Sequence, residues 1–283
     1  MVTGSDRGGF TLIEAIVSTT LASILLVMVG TVFLVQSETY GLQYERVGAH
    51  DNARTVTGMI AGDLRSVSRG GIVVAQPDSV VIRSPMVMAA VCATSGSFAY
   101  VQFEGGEDEL DTDEVGGIVV LNDTTNTWSY YNATWSDIDG GTAQAATNCY
   151  AAGADTVGAT AEFHRMKKLS NLYGSLPPAG TILQIFRETT YALRTSALDS
   201  TTIGLYRGIY GDTLVEFATG MDSTAGFQYR TGGPFYASSV TGGSLQSIDA
   251  VRIVAEARKA APSGGRDPIV YGWSVNVFLR NAR

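Results

Sequence analysis

An apolar run near the start of the chain constrains the fold more than any other feature. Residues 10–35 contain one ionisable side chain, Glu14, among 26 residues. A helix of that length extends about 39 Å, which exceeds the hydrocarbon core of a bilayer at about 30 Å. The run therefore predicts a membrane-spanning helix. It also places a carboxylate in a segment where charge is unfavourable, since an ionised group at the helix centre costs about 2.5–3.5 kcal/mol on insertion scales.

The residues that flank this run predict its orientation. Arg7 precedes it, and the first charged residues after it are Glu38 and Glu45. Because basic residues next to a span stay in the cytoplasm, we expect residues 1–9 to be cytoplasmic and the rest of the chain to be exported. The run is too long for an ordinary secretory signal, whose apolar region has about 7–15 residues.

The residues around Glu14 resemble a known family. The string GGFTLIEAIVSTTLASILL, residues 8–26, looks like the processing site (a class III signal) of type IV pilins and of the pseudopilins of type II secretion. In that family, prepilin peptidase removes a short leader after a glycine, and the new N-terminal residue is methylated. The resemblance implies a leader of residues 1–9, cleavage between Gly9 and Phe10, N-methylation of Phe10 and an assembly role for Glu14.

The physical chemistry of the cleaved end fits such a role for Glu14. Cleavage exposes an α-amine, which has a pKa near 8 in free peptides and is largely cationic at neutral pH. In a filament, the amine of one subunit can pair with the Glu14 carboxylate of another and offset its desolvation. A plain membrane anchor is the alternative, and the Gly9–Phe10 pair at the right spacing favours the pilin. Many major pilins carry a mid-helix proline, whereas this chain has Gly30 and Thr31, which weaken a helix less.

A helical period continues beyond the apolar run. Apolar residues recur at steps of three and four and form one stripe, made of Tyr40, Tyr44, Val47, Val56, Ile60, Leu64 and Val67. A stripe of this kind predicts packing against a protein core. We expect one helix over about residues 10–68, with its first half in lipid and its second half on a sheet, ended by the Arg-Gly-Gly of residues 69–71.

The chain after Gly71 has the patterns of β-strands. The segments GIVVA and SVVIRS flank a Gln-Pro-Asp turn and predict a hairpin, and further strand patterns extend to the end of the chain. Residues 132–160 have no period and predict a loop. These signals predict a long N-terminal helix, 10–69, whose first half spans the membrane, followed by a β-rich body, 70–283. The family resemblance implies the type IV pilin fold, an α+β fold in which this transmembrane and assembly helix packs on an antiparallel β-sheet body.

Short motifs in the C-terminal half resemble the large minor pilins of the PilW class, whose relatives include the J-type pseudopilins. In chain order, the matching motifs of this sequence are Tyr191, 205–207, 214–216, 227–229, 251–253 and 279–281. The resemblance covers about residues 10–70 and 181–281. An insertion of about residues 85–180 matches no family that we can name.

Whether the two cysteines, Cys92 and Cys149, form a disulfide is expected to depend on the compartment in which the body lies. In an exported body a disulfide is the favoured state, whereas in the cytosol both would stay unpaired. His50 and His164 do not have the spacing of metal ligands, so a transition-metal site is disfavoured.

An acidic segment at residues 104–117 contains the densest charge in the chain. Glu109, Asp111 and Asp113 alternate in a way that resembles a calcium loop, which makes them a candidate calcium site. The spacing does not match an EF-hand, and so many like charges favour a solvated loop without metal.

Sequence motifs for catalysis are absent from the chain. There is no P-loop, nucleophile elbow, HExxH or GxGxxG, so we predict a non-catalytic protein without a cofactor. Nucleic-acid binding is disfavoured by a net charge of −8. A single basic cluster is expected on the surface, consisting of His164, Arg165, Lys167 and Lys168. An aromatic cluster is expected in the core, with an adhesive surface as the alternative, and consists of Trp128, Tyr130, Tyr131 and Trp135.

The function that these features imply is assembly into a filament. A minor pilin of a type IV pilus would be anchored in the inner membrane with a periplasmic body, and would then start or cap the pilus at the cell surface. Its partners would be other major and minor pilins, prepilin peptidase and the inner-membrane assembly platform, in a filamentous hetero-oligomer. The alternatives are a J-type pseudopilin of type II secretion, a tip adhesin or DNA-uptake pilin, and a membrane-anchored enzyme.

Overall fold

The computed structural model of the chain describes residues 11–95, 98–104, 112–122, 127–133, 138–139, 149, 163–167, 177–209, 211–259 and 269–280. Contacts divide the chain into two compact units. The first unit comprises Met1–Gly48 and Lys259–Ile269, and the second comprises Ala49–Arg258 and Val270–Arg283. We call the second unit the body.

A long helix precedes all of the strands. The helix α1 spans Leu12–Ser66. The thirteen strands found in the described residues are β1 Ile72–Ala75, β2 Ser79–Ser95, β3 Phe98–Glu104, β4 Gly117–Asn122, β5 Thr127–Asn132, β6 Ile138–Asp139, β7 Phe163–Lys167, β8 Ile182–Thr195, β9 Ile203–Ile209, β10 Val215–Met221, β11 Gly226–Arg230, β12 Ala250–Lys259 and β13 Ile269–Phe278.

Two glycines terminate α1, as the Arg-Gly-Gly pattern predicted. Gly70 has φ of +86°, a left-handed conformation that favours glycine. A Cβ on Gly71 would lie 2.6 Å from the hydroxyl oxygen of Tyr130 and 2.6 Å from a methyl carbon of Val67. Glycine at position 71 therefore lets β5 approach the end of the helix closely.

The strands form one antiparallel sheet in which β8 is shared between two neighbours on one side. On the other side, residues Ile182–Ala192 of β8 pair with β2. Its first half pairs with β4, and its second half pairs with β9. The expected α+β class, a long apolar helix followed by an antiparallel β body, is confirmed.

The main hydrophobic core lies between the end of α1 and the sheet. Four stripe residues predicted to face the core are buried at 3% exposure or less, namely Val56, Ile60, Leu64 and Val67. They pack with Tyr191, Leu205, Phe227 and Val251 of the strands. Burial of several such side chains, at about 1.5–3 kcal/mol each, stabilises this end of the helix on the sheet.

The first part of the predicted stripe does not belong to this core. Tyr40, Tyr44 and Val47 are 70%, 76% and 58% exposed, so the expectation that they pack in a core was wrong. Their helical period is real, but a period gives the face of a helix and not what covers that face. In the described chain, the His50 ring already makes edge contacts with the rings of Tyr271 and Trp273, and the first fully buried residue of α1 is Ala53.

A second core lies in the part of the chain predicted as an insertion. It joins β2, β3, β4 and the first half of β8 through Val91, Val101, Ile118, Leu183 and Ile185. The strands of this segment thus belong to the same sheet as the rest of the body. Most of residues 132–160, predicted as a loop, lie outside the described residues.

Candidate assembly site

The start of α1 holds the one acidic side chain of the apolar run. The amide nitrogen and hydroxyl of Thr11 donate to Oε2 of Glu14 over 3.4 and 3.3 Å. The amide of Glu14 donates back to the Thr11 hydroxyl over 3.4 Å. This reciprocal pattern is a capping box, in which a threonine before the helix and a glutamate three residues later satisfy each other's amides. Thr11 therefore keeps the Glu14 carboxylate at the helix terminus.

The sequence interpretation missed this contact, although the signal was present as Thr-x-x-Glu at residues 11–14. The first turn of a helix also favours negative charge, because the helix dipole is positive there. Glu14 is thus locally stabilised within a single chain before any partner arrives. The predicted cleavage residues, Gly9 and Phe10, lie outside the described residues.

The apolar part of α1 is fully exposed along its length. Within the described residues, Leu12–Gly41 is a 30-residue candidate span with a mean hydropathy of 2.2, and none of its apolar window is buried. By length and composition this segment is sufficient to cross a membrane. A fully exposed helix of this composition needs a bilayer or neighbouring helices to cover it.

Four hydroxyl groups in this segment are satisfied by the helix itself. Thr19, Thr20, Ser23 and Thr31 each donate to a backbone carbonyl three or four residues earlier, over 2.5–3.0 Å. An unpaired hydroxyl in hydrocarbon costs several kcal/mol, so these bonds make the segment compatible with lipid. Polar residues in this segment therefore do not argue against a span.

The cysteines predicted to pair are joined in the structure. A disulfide links Cys92 of β2 to Cys149, across 57 positions in sequence and with their Cα atoms 5.2 Å apart. It ties Cys149, which is fully buried, to β2.

The other predicted site residues are scattered. Asp113 lies exposed in a short 3-10 turn, Thr112–Glu114, whereas Glu109 and Asp111 lie outside the described residues. In the part of the chain that is described, no three His, Cys, Asp or Glu side chains are grouped as a metal site would require. His164 belongs to β7 together with Arg165 and Lys167, and Lys168 is outside the described residues.

The aromatic cluster is half-buried and part of it contacts the helix end. The hydroxyl of Tyr130 donates to the carbonyl oxygen of Ser68 over 3.1 Å, and the Arg83 guanidinium lies 5.1 Å from the Tyr130 ring centroid. Burial raises the pKa of Tyr130 to about 12. Trp128 and Tyr131 are also half-buried, which is typical of packing, and Trp135 is outside the described residues.

A polar triad connects α1 to the sheet. The hydroxyl of Tyr191 donates to Oδ2 of Asp63, and Arg207 donates to the Tyr191 hydroxyl over 3.1 Å and to Oδ2 of Asp63 over 3.3 Å. Burial, followed by the bond to Asp63, raises the pKa of Tyr191 well above its usual value. The triad therefore links the docked end of α1 to β8 and β9.

Comparison with known protein families gives a match at the start of the chain. Residues 4–30 match the family model of the prokaryotic N-terminal methylation motif. Searches of curated proteins and of solved structures found no match. The matched range contains the Gly9–Phe10 pair, the Thr11–Glu14 capping box and the first half of the apolar segment. This motif, together with the apolar helix that follows it, supports a type IV pilin-like protein.

Proposed function

We propose that the chain is a minor pilin of a type IV pilus, of the PilW type. Prepilin peptidase cuts it between Gly9 and Phe10 and the Phe10 amine is methylated. Helix α1 anchors it in the inner membrane with the body in the periplasm, and the chain then starts or caps the pilus. It is a structural subunit without catalysis. The observation that carries the proposal is the methylation motif placed directly on an exposed apolar helix.

Assembly in this proposal is an exchange of partners at Glu14. Before assembly, Thr11 donors hold the carboxylate at the helix terminus. In the filament, the cationic Phe10 amine of one subunit pairs with Glu14 of another. A buried carboxylate left without its cation is destabilised by about 3–5 kcal/mol, so the pair sets the register between neighbouring helices.

The exposed apolar surface of the helix can be covered either by lipid or by neighbouring helices. Leu25 and Phe33 are 61% and 68% exposed in the isolated chain. In the membrane they contact lipid, and in a filament they contact the helices of neighbouring subunits. Such a helix can move from lipid to filament because both environments are apolar.

The first experiment is mass spectrometry of the mature protein from cells with active prepilin peptidase. We expect an N-terminus at Phe10, heavier by one methyl group. A Gly9→Val variant, in which a branched side chain blocks the cut, should retain residues 1–9. A wild-type chain that still begins at Met1 would refute the proposal.

The second experiment separates processing from assembly. We expect Glu14→Gln to be cleaved and inserted normally but to enter sheared pili at about one tenth of the wild-type level or less. Glu38→Gln, in the same helix but outside the motif, is the matched control and should assemble normally. Wild-type incorporation of Glu14→Gln would remove the register role from Glu14.

A J-type pseudopilin uses the same N-terminal chemistry and differs in its destination. An affinity-tagged chain recovered from sheared pili supports the pilus assignment. Recovery only with the type II secretion machinery assigns the chain to that system, and leaves the cleavage and Glu14 predictions in place.

A further inference from the structure

The strands β11, β12 and β13 have one face in the main core and one face turned away from it. Along β12, for example, buried Val251 belongs to the core and its neighbour Arg252 is partly exposed on the outer face. The strand register places Gln228 of β11 opposite Arg252. On the other side, Nε of Arg252 donates to Oδ1 of Asn276 in β13 over 2.9 Å. We call Gln228, Arg252 and Asn276 the polar row.

The polar row offers hydrogen-bond donors on its open side. A guanidinium can only donate, so Arg252 takes up the amide oxygens of both neighbours, Oδ1 of Asn276 and, over 3.4 Å, Oε1 of Gln228. Each amide nitrogen then lies on the side away from Arg252. Within the part of the chain that the structure describes, neither amide nitrogen donates to another residue, and neither does Nη2 of Arg252. A ligand on the row must therefore supply acceptors.

The charge of Arg252 is not compensated by a carboxylate among the described residues. On the same face, Arg230 donates to both carboxylate oxygens of Asp249 over 2.9 Å and is neutralised. Arg252 instead lies 4.0 Å from the ring centroid of Tyr236, which covers one side of its guanidinium. One free cation matches one carboxylate. It does not match a nucleic-acid backbone, which needs several cations and is repelled by a net charge of −8.

An exposed aromatic ring lies beside the polar row. Phe278 follows Asn276 by two positions in β13, which places both side chains on the same face, about 7 Å apart along the strand. Phe278 is 58% exposed, whereas Val277 and Leu279 on either side of it are buried. The Arg230 guanidinium lies 4.9 Å from the Phe278 ring centroid. The rest of the ring is an open, flat apolar surface on which the C–H face of a sugar ring can pack.

We propose that the polar row and Phe278 bind an acidic saccharide of the uronic acid class. The sugar ring packs on Phe278, and its carboxylate accepts from Arg252 and Asn276. Hydroxyl and ring oxygens of the saccharide accept from the amide nitrogen of Gln228. An acidic peptide fits less well, because its backbone N–H groups need acceptors and the row presents donors. This binding needs no filament, so the inference does not depend on the proposed function.

The first experiment compares ligands of different chemistry on the purified full chain in detergent, by isothermal titration calorimetry. We expect trigalacturonic acid to bind at least tenfold more tightly than its methyl ester, which has the same rings without the charges. An ester that binds as tightly as the acid, or no binding of the acid at about 10 mM, would overturn the proposal. Equal or tighter binding of a triglutamate peptide or of a thymidine oligonucleotide would also overturn it, and would assign the face to a protein or a nucleic acid.

Arg252→Gln removes the free charge and keeps a planar amide in the row. We expect it to weaken binding of trigalacturonic acid about tenfold or more, because charged hydrogen bonds to the carboxylate are lost. Arg194→Gln is the matched control, since Arg194 is exposed on β8 and outside the polar row. It should bind as the wild type does. Wild-type affinity in Arg252→Gln, or equal losses in both variants, would overturn the site.

Phe278→Ala tests the ring separately from the charge. We expect it to weaken binding about three- to tenfold, whereas Phe278→Tyr keeps the ring and should keep the affinity. Because Phe278 is largely exposed, both variants should melt as the wild type does, so this pair still decides the question if Arg252→Gln fails to fold. Equal affinities of Phe278→Ala and the wild type would overturn the proposal. The Phe10 N-terminus and the Glu14→Gln defect are measured without a ligand, so failure of this site is distinguishable from failure of the proposed function.

Discussion

Leu25 and Leu64 belong to the same helix but have opposite surroundings. Leu25 is 61% exposed, whereas Leu64 is fully buried against the strands. The two parts of α1, which we call the free part (Leu12–Gly48) and the docked part (Ala49–Ser66), also use their polar residues differently. One continuous helix therefore serves two environments, and in the docked part it also bonds to the sheet.

In the free part, hydroxyls donate inward to the backbone of the same helix, as Thr19 does to the carbonyl of Ala15 over 2.9 Å. In the docked part, Asp63 reaches across to Tyr191 and Arg207 of the sheet. A helix that satisfies its own polar groups can change neighbours without breaking hydrogen bonds. A helix that bonds to a sheet is fixed in place.

The largest expected difference between the two parts of α1 comes from replacing one leucine in each part by alanine. Leu64→Ala should lower the free energy of unfolding of the body by about 2–5 kcal/mol, because it leaves a cavity in a packed core. Leu25→Ala should leave it unchanged within about 0.5 kcal/mol. Denaturant unfolding in detergent, followed by the fluorescence of Trp128 and Trp273 in the body, measures both. Equal losses would show that the free part also stabilises the body.

The next test uses alkaline pH, because Tyr191 connects the docked part to the sheet. The pKa of folded Tyr191 lies above its unfolded value near 10. Its stabilisation is therefore complete below pH 10 and is lost as the pH rises beyond that point. Tyr191→Phe should cost about 1 kcal/mol at pH 7 and show a shallower loss of stability between pH 9 and 11.

Tyr44→Phe is the matched control for that test, since Tyr44 is 76% exposed in the free part. It should leave the unfolding free energy at pH 7 unchanged. A wild-type pH slope in Tyr191→Phe would show that the clamp between Asp63, Tyr191 and Arg207 does not contribute to the alkaline loss.

The smallest expected difference in unfolding free energy is between substitutions of two threonines that make the same hydrogen bond in different surroundings. Thr57 is 1% exposed and donates to the carbonyl of Ala53 over 2.8 Å, and Thr19 makes the equivalent bond in the free part. Thr57→Val should cost the body about 0.5–1 kcal/mol, because a buried hydrogen bond is lost. Thr19→Val should cost it nothing measurable in the same unfolding assay. A similar loss in both would contradict the division of the helix.

Local signals predicted the helix and the first hairpin well. The expected helix, about 10–68, agrees closely with the observed helix, Leu12–Ser66. It was predictable because an apolar run and an Arg-Gly-Gly stop are both local features of the sequence. The hairpin of β1 and β2 forms around the Gln-Pro-Asp turn as expected. Strand β2, however, continues to Ser95 through Pro85, where the pairing register with β8 shifts. A bulge accommodates proline in a strand, but its position depends on the partner strand.

The assembly site was also partly predictable, because part of its signal is local in the sequence. Glu14 was identified from its spacing to Phe10, and its bond to Thr11 was available in the Thr-x-x-Glu pattern. Tyr40 was misassigned to a core because amphipathic periodicity does not identify the covering surface.

The sharing of β8 also bears on how the body unfolds. Leu183 and Ile185 at one end of this strand belong to the core around β4, and Tyr191 near its other end belongs to the core beneath α1. Melting of either core would release part of a strand whose residues Ile182–Ala192 are paired with β2. We therefore expect the two cores to lose structure in one cooperative transition. If a mechanical force or a protease opened one end of β8, the core at the other end of the strand would then unfold as well.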